Sequence, residues 1–270
     1  MRKTFILFMF LLYAGLTNGA ERIVSLSGTL SEMLCALGLE RQIVGVDVTS
    51  TYPASLKQKP KVGHNRNLSA EGIIALQPSL VIGMKDQVST QLSQQLKSAG
   101  VKVALFTQDL SPAGVKQLLN QVAAAVGATA KVKAVERQFD AKMKSLQVTP
   151  VNKKVLFIYA RGTGTMMVSG TGTPIEKIIR MAGARNAVTE FSDFKPLTAE
   201  SLVAANPDAI LLFDSGLKSV EGAEGLLKVP GIAQTNAGKN KKIVSMDGEL
   251  LSGFSLRLPD AIRDLRNKIL

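Results

Sequence analysis

The chain of 270 residues contains one histidine and one cysteine, so few side chains can carry distinctive chemistry. His64 lies between Gly63 and Asn65, which predict a loop. In an extended segment, residues two apart point the same way, so His64 and Arg66 can face one ligand. An imidazole that binds iron and a guanidinium that binds carboxylates suit haem. From these residues alone, an exposed loop histidine without a ligand remains the alternative.

Catalytic chemistry is poorly supported by the sequence. A Ser-His-Asp triad would have to use His64, and the chain has no Gly-x-Ser-x-Gly elbow. The glycine-rich segments 162–164 and 170–172 complete neither a phosphate-binding loop nor a dinucleotide fingerprint. No cluster of histidine, cysteine and carboxylate residues has the composition of a zinc or manganese site. The sequence therefore predicts a binding protein and no enzyme.

The first twenty residues have the pattern of a secretory signal peptide. Arg2 and Lys3 precede an apolar run over residues 5–12, and small or polar residues occupy positions 17–20. The run is shorter than the roughly 20 residues that span a bilayer, which disfavours the alternative of a membrane anchor. We predict removal of residues 1–20 and a periplasmic location. Cys35 lies in an apolar, helix-like stretch, so we predict no lipid anchor.

The formal net charge is +12, but the chain has no tryptophan and only three tyrosines. Its basic residues are not interleaved with aromatic ones. The charge therefore favours an anionic ligand or a solvated surface, and we predict no nucleic acid partner.

Short apolar runs alternate with helical patterns along the chain. Residues 22–26, 43–46, 80–83, 101–106 and 154–159 are predicted strands. Thr29 with Glu32, and Thr173 with Glu176, have the spacing of helix capping boxes. Alternation of this kind predicts an α/β fold with parallel sheets and crossover helices.

One long amphipathic helix divides the pattern in two. Apolar residues three or four apart follow each other from Val132 to Leu146, with charged residues between them. We predict a signal peptide at 1–20, an N-terminal α/β lobe at 21–128, a linking helix at 129–149 and a C-terminal α/β lobe at 150–270. A ligand is expected in the cleft between the two Rossmann-like lobes.

A weak internal repeat supports the two-lobe organisation. Residues 68–71 lead to Pro78 and an apolar run, and residues 197–200 lead to Pro207 and another. Glu71 and Glu200 occupy equivalent places in the two units. Negative charge at the start of a helix is favourable in itself, which is the plain explanation for both residues.

Several motifs resemble one known family. They are Arg22-Ile23-Val24-Ser25-Leu26 with Thr29 and Glu32, Val44-Gly45-Val46-Asp47, Ser50-Thr51-Tyr52-Pro53, Lys61-Val62-Gly63, Arg66, Leu68-Ser69-Ala70-Glu71-Gly72, Met246-Asp247-Gly248, and Leu251-Ser252-Gly253-Phe254 with Arg257 and Pro259. On these residues the chain resembles the periplasmic haem- and siderophore-binding proteins of bacterial ABC importers, in their haem-binding branch. The resemblance runs from about residue 22 to 265, and residues 44–72 are its most specific part.

The resemblance implies a class III periplasmic binding protein, a monomer that carries haem to an inner-membrane ABC permease. The family usually has an iron-binding tyrosine after its Val-Gly pair, and His64 stands there. Some members bring a second axial histidine from the other lobe, where this chain has Arg161. We therefore expect His64 to bind the haem iron, and Arg66, Arg161 and Arg257 to contact the haem. For Arg161, an ordinary surface arginine is the alternative. Tyr52 is the preferred contact with the porphyrin ring among candidates that include Tyr159, Met84, Met166, Met167 and Phe254.

The resemblance also implies that Glu71 and Glu200 dock onto arginines of the permease dimer. Three other functions remain open. The same scaffold could bind a ferric siderophore or cobalamin, although a fully chelated siderophore iron leaves no position for His64. The protein could act as a periplasmic haem chaperone or enzyme without a transporter, or as an exported structural protein.

Overall fold

The structure, a computed structural model, describes residues 21–64 and 67–270. The predicted signal peptide and Arg66 lie outside the described residues. No helix within this part of the chain is both long enough and apolar enough to cross a bilayer.

The N-terminal lobe is built on a four-stranded parallel sheet with the strand order β2-β1-β3-β4. β1 and β3 are buried along their whole length, as expected for strands that helices cover on both faces. The elements are β1 (Ile23–Ser25), α1 (Gly28–Ala36), β2 (Ile43–Val46), α2 (Ala70–Ile74), β3 (Leu80–Met84), α3 (Thr90–Ser98), β4 (Lys102–Phe106) and α4 (Pro112–Ala125).

Helix α5 (Val132–Lys144) connects the lobes. It is shorter than the predicted segment 129–149, because a 3-10 turn forms over Thr129–Lys131 and the helix ends before Ser145. Phe139 is buried at its centre. One ion pair joins α5 to α4 through Lys116 and Asp140 at 3.0 Å, and another joins it to the last helix through Lys142 and Asp260 at 3.0 Å.

The C-terminal lobe contains a six-stranded mixed sheet among the described residues, with the order β10-β9-β5-β6-β8 and β7 beside β5. β5, β9 and β10 are parallel, whereas β6 pairs antiparallel with both β5 and β8 at one edge, which the sequence did not predict. The elements are β5 (Lys154–Ala160), β6 (Met166–Ser169), α6 (Pro174–Met181), β7 (Arg185–Asn186), β8 (Phe194–Pro196), α7 (Ala199–Ala205), β9 (Ala209–Phe213), α8 (Asp214–Ser219), α9 (Gly222–Leu227), α10 (Asn236–Lys239), β10 (Ile243–Met246), α11 (Gly248–Ser252) and α12 (Leu258–Ile269). The predicted α/β class with two sheets is confirmed.

One hydrophobic cluster crosses from lobe to lobe. It includes Met33 and Leu119 of the N-terminal lobe, and Phe157 and Leu258 of the C-terminal lobe. Two further clusters cover the outer faces of the two sheets. The lobes therefore share a core, and burial of this apolar surface stabilises their arrangement.

The two predicted capping boxes have different outcomes. Half of the box at Thr173 is present: the Thr173 hydroxyl caps α6 by accepting a hydrogen bond from the Glu176 backbone amide at 3.1 Å, whereas the Glu176 carboxylate pairs with Arg180 at 3.5 Å. The box at Thr29 is wrong, because α1 begins at Gly28 and Ser27 is its N-cap residue. The Thr29 hydroxyl instead donates to the carbonyl of Gly253, 2.7 Å away in the other lobe.

The internal repeat corresponds to the same unit in both lobes. Ser69 caps α2, which leads to β3, and Thr198 caps α7, which leads to β9. Glu71 and Glu200 lie in the first turns of these helices, and both are exposed.

Candidate ligand-binding cleft

A cavity of about 1180 Å³ lies between the lobes, where the carboxyl ends of the strands meet. Every strand of the N-terminal sheet, and strands β5, β9 and β10 of the other sheet, end at or just before a residue of its lining. This is where α/β sheets bind ligands, because the loops that follow parallel strands gather at one edge. Its lining residues are Ser27, Thr29, Thr49, Thr51, His64, Met84, Asp86, Gln87, Thr107, Gln108, Leu110, Tyr159, Ala160, Arg161, Pro174, Phe213, Ser215, Ser219, Asp247, Gly248, Glu249, Ser252 and Gly253.

His64 enters the cleft from a segment that extends the N-terminal sheet. Residues 60–63 pair with the end of β2, through hydrogen bonds from the Val46 amide to the Pro60 carbonyl and from the Val62 amide to the Val46 carbonyl. Gly63 has a φ of 111°, a conformation that favours glycine. The Asn67 amide lies 2.7 Å from the His64 carbonyl. The His64 side chain is partly buried and lines the cleft.

Arg161 enters the same cavity from the opposite lobe. It follows the last residue of β5, its side chain is exposed, and its guanidinium carbon lies 5.6 Å from the centre of the Tyr159 ring. Tyr159 meets Phe213 edge to face, with ring centres 6.2 Å apart. The C-terminal wall therefore joins one cation to two aromatic rings.

Tyr52 and Arg257 do not line the cleft and contact each other instead. The Arg257 guanidinium carbon lies 4.1 Å from the centre of the Tyr52 ring, and 48 % of Tyr52 is exposed. Arg257 also donates from Nε to Oε1 of Glu32 at 2.9 Å. Arg257 is thus already engaged by two N-terminal residues. Arg66 lies outside the described residues, so its contacts are not described.

Three acidic side chains, those of Asp86, Asp247 and Glu249, also line the cavity. Burial, together with the negative charges of Asp47, Glu32 and Asp247, raises the pKa of Glu249 to about 8 against the opposing charge of Arg257. Burial likewise raises the pKa of Glu32, although its hydrogen bond to Arg257 acts against this. The cleft therefore combines the exposed charge of Arg161 with one carboxyl group, that of Glu249, that resists ionisation.

Some of the residues predicted to contact the porphyrin line the cavity, and others do not. Tyr159 and Met84 line the cavity, whereas Phe254 is buried in the core and Met166 and Met167 lie on β6 away from the lining. Phe213 and Gln108 line the cavity and were missed by the sequence analysis. Each stands at or just after the carboxyl end of a strand, and that position was the signal that could have identified them.

Within the described residues, no group of three or more histidine, cysteine or acidic side chains is arranged to hold a metal ion. A bare ion therefore has no multidentate site in this part of the chain. A chelate that brings most of its own ligands to the metal needs only one or two donors from the protein, and an imidazole has the chemistry of such a donor.

Comparison with known proteins identifies one architecture. A family model described as "Periplasmic binding protein" matches residues 23–250. The periplasmic heme-binding protein RhuT from Roseiflexus sp. RS-1, in apo form, is 37 % identical, with a TM-score of 0.87 over 93 % of this chain and 98 % of its own. The periplasmic heme-binding protein BhuT, solved in complex with two hemes, is 36 % identical, with a TM-score of 0.88 and the same coverage.

Two curated relatives extend the comparison. An uncharacterized ABC transporter substrate-binding lipoprotein, YvrC of Bacillus subtilis, is 28 % identical over 92 % of this chain and 80 % of its own length. A vitamin B12-binding protein of Pectobacterium atrosepticum is 23 % identical over 71 % of each chain. The relatives named here are thus a substrate-binding lipoprotein of an ABC transporter and proteins that bind heme or vitamin B12.

Proposed function

Because this chain belongs to the periplasmic binding protein family, we propose that it captures haem in the cleft between its lobes and delivers it to an inner-membrane ABC permease. One observation carries the choice of haem: His64 and Arg161 line a single cavity from opposite lobes. Its volume of about 1180 Å³ exceeds the roughly 300–1,000 Å³ of common small-molecule pockets, which suits a large planar ligand.

His64 would bind the haem iron through a ring nitrogen, and Arg161 would pair with a propionate. Neutral imidazole is a good ligand of both ferric and ferrous haem. A guanidinium binds a carboxylate through two parallel hydrogen bonds. Asp86 repels carboxylates from the N-terminal wall and Arg161 attracts them to the opposite wall, so the propionates are expected on the Arg161 side of the cleft. Tyr159 and Phe213 offer ring surface to the porphyrin.

A haemin titration followed by absorbance tests this proposal. The protein is secreted by an expression host and purified without a histidine tag, because His64 is then its only histidine. We expect a saturable Soret change with a fixed stoichiometry in the wild type. Loss of an outer-shell partner of a metal ligand costs about 10–100-fold in affinity, so His64→Ala should cost roughly 100-fold or more.

Two further variants make the assignment specific. His64→Tyr replaces one iron ligand by another and should restore tight binding with the spectrum of a phenolate complex. Thr51→Ala changes a cleft side chain that offers neither an iron ligand nor a charge, and should bind like the wild type. Unchanged affinity in His64→Ala would remove His64 as the ligand. Absence of saturable binding by the folded wild type would overturn the choice of haem.

Cobalamin is the second candidate, because vitamin B12-binding proteins are among the relatives of the chain. Cobalamin also carries a metal that a histidine can ligate. Parallel titrations with hydroxocobalamin and with a ferric siderophore separate the candidates. Tight binding of either one, together with weak and unsaturable haemin binding, would replace haem by that ligand.

Delivery of haem would require that Glu71 and Glu200 contact the permease. Their exposure at equivalent places on the two lobes supports a pair of contacts with one permease subunit each. We expect the double variant Glu71→Lys/Glu200→Lys to bind haem normally and to abolish haem-dependent growth of cells that need this importer. The matched control Glu190→Lys/Glu224→Lys changes the charge equally at two other exposed sites and should sustain growth. Normal growth with the first variant would contradict this role.

This function places the protein in the periplasm as a monomer, without catalysis. Protein found only in the cytoplasmic fraction, or haem breakdown during the titration, would contradict that description.

A further inference from the structure

The polar contacts between the lobes concentrate in residues 248–257. Thr29 donates to the Gly253 carbonyl at 2.7 Å, and the Gln108 amide donates to the Phe254 carbonyl at 2.6 Å. Arg257 is paired with Glu32 of α1. We call these three contacts, together with Glu249, the junction. It holds the part of the C-terminal lobe that lines the cleft beside the N-terminal lobe.

Glu249 lies inside the junction between two glycines of different lobes. A Cβ atom added at Gly28 would overlap the Glu249 carboxyl group. A Cβ atom added at Gly253 would lie 3.2 Å from Glu249 Oε1. The carboxyl group is therefore in close contact with the backbone on two sides, in a place where only glycine leaves room for it.

The charges around Glu249 are predominantly negative. The acidic groups that face it are Asp47, Glu32 and Asp247, and the basic group is Arg257. Asp47 is buried and accepts hydrogen bonds from Thr49 and Ser50. Arg257 is already committed to Oε1 of Glu32, whose other oxygen is buried with no hydrogen-bond partner in the described structure.

We propose that Glu249 is a positioning residue, which joins the lobes as a neutral carboxylic acid and weakens the junction when it ionises. Ionisation would add a further negative charge to a partly buried site whose one cation is already engaged. Like charges and loss of solvent both oppose that ionisation. The elevated pKa of Glu249, about 8, agrees with the geometry.

The sign of the pH effect follows from linkage. The folded protein holds the Glu249 proton up to about pH 8, whereas the unfolded chain releases it near 4.5. Between these values the folded state binds more protons, so the contribution of Glu249 to stability falls as the pH rises. This loss of stability is absent below about pH 4.5 and complete above about pH 8.

The test compares thermal unfolding of the apo protein with that of Glu249→Gln from pH 5 to pH 9. Glutamine resembles the neutral acid and cannot ionise. We expect similar midpoints at pH 5 and a difference that grows towards pH 8, where the wild type unfolds roughly 3 °C or more below the variant. Glu224→Gln removes an exposed carboxyl group and should follow the wild type at every pH. A difference that does not change with pH would overturn the proposal.

If the Glu249→Gln variant does not fold, an infrared pH titration of the apo wild type still tests the proposal. We expect the band of a protonated carboxyl group to persist at pH 7 and to disappear by about pH 9. The band should be absent in Glu249→Met. Its absence from the wild type at pH 7, or its presence in Glu249→Met, would contradict the proposal. Both measurements use the apo protein, so they are independent of the proposed haem binding.

Discussion

Two pairs of polar side chains in this protein differ in what surrounds them. His64 and Arg161, which we call the cleft pair, are partly buried or exposed, and they face the cavity from loops that follow strand ends. Glu32 and Arg257 of the junction are largely buried and paired with each other. Side chains that face the cavity can meet a ligand, whereas the buried charges of Glu32 and Arg257 are committed to each other. Burial, more than residue type, therefore separates ligand binding from lobe positioning.

The largest effect on stability is expected at the junction. Arg257→Met removes the partner of Glu32, whose side chain is 3 % exposed, and leaves a buried negative charge. Breaking a buried ion pair from one side costs about 3–5 kcal/mol, and we expect about 3 kcal/mol because 15 % of Arg257 is exposed. Urea unfolding measures the change.

A double variant separates the lost contact from the stranded charge. Arg257→Met combined with Glu32→Gln leaves no ionised group in the pair and should recover a substantial part of the stability. A loss below about 1 kcal/mol in the single variant would mean that the junction does not depend on this pair.

A smaller effect, on binding only, is expected from the C-terminal member of the cleft pair. Arg161→Gln should lower haemin affinity about tenfold, because a hydrogen bond to a charged group contributes roughly 1.5–3 kcal/mol and this one is exposed to solvent. The salt dependence of binding should also decrease. Titrations at low and high salt measure both effects. Equal affinity of variant and wild type at low salt would exclude the proposed propionate contact.

The smallest effect is expected on the stability of His64→Ala. The His64 side chain is only partly buried, so the free energy of unfolding of the apo variant should stay within about 0.5 kcal/mol of the wild type. Urea unfolding of the apo forms measures it. A loss comparable to that of Arg257→Met would assign His64 to the framework and would erase the distinction between the two groups.

Local patterns were sufficient to predict strands β1 to β5, the repeated helix-to-strand unit and the linking helix, but not the edge strands β6 and β8. Strand periodicity and the caps at Ser69, Thr173 and Thr198 depend on neighbours in the chain, so one sequence contains the information. The ends of α5 were less predictable, because its apolar pattern continues to Leu146 while the helix stops at Lys144. Residues after the last turn can pack against a core without being helical.

The junction shows where local reasoning fails. Thr29 and Glu32 have the spacing of a capping box, yet they bind Gly253 and Arg257, which lie more than 200 positions away in the sequence. Nothing near either residue distinguishes the two outcomes, because the competing partners come from the packing of the lobes. The same reason explains why Arg257 resembled a ligand contact in sequence and lies in the junction in the structure.

The measurement that tests the central claim most directly is pulsed electron paramagnetic resonance of the ferric haem complex, made with tag-free protein labelled with ¹⁵N only at histidine. Because His64 is the only histidine, any ¹⁵N coupling to the iron has a single source. The account predicts one strongly coupled ¹⁵N nucleus beside the unlabelled pyrrole nitrogens. A stoichiometric haem complex without any ¹⁵N coupling would contradict it.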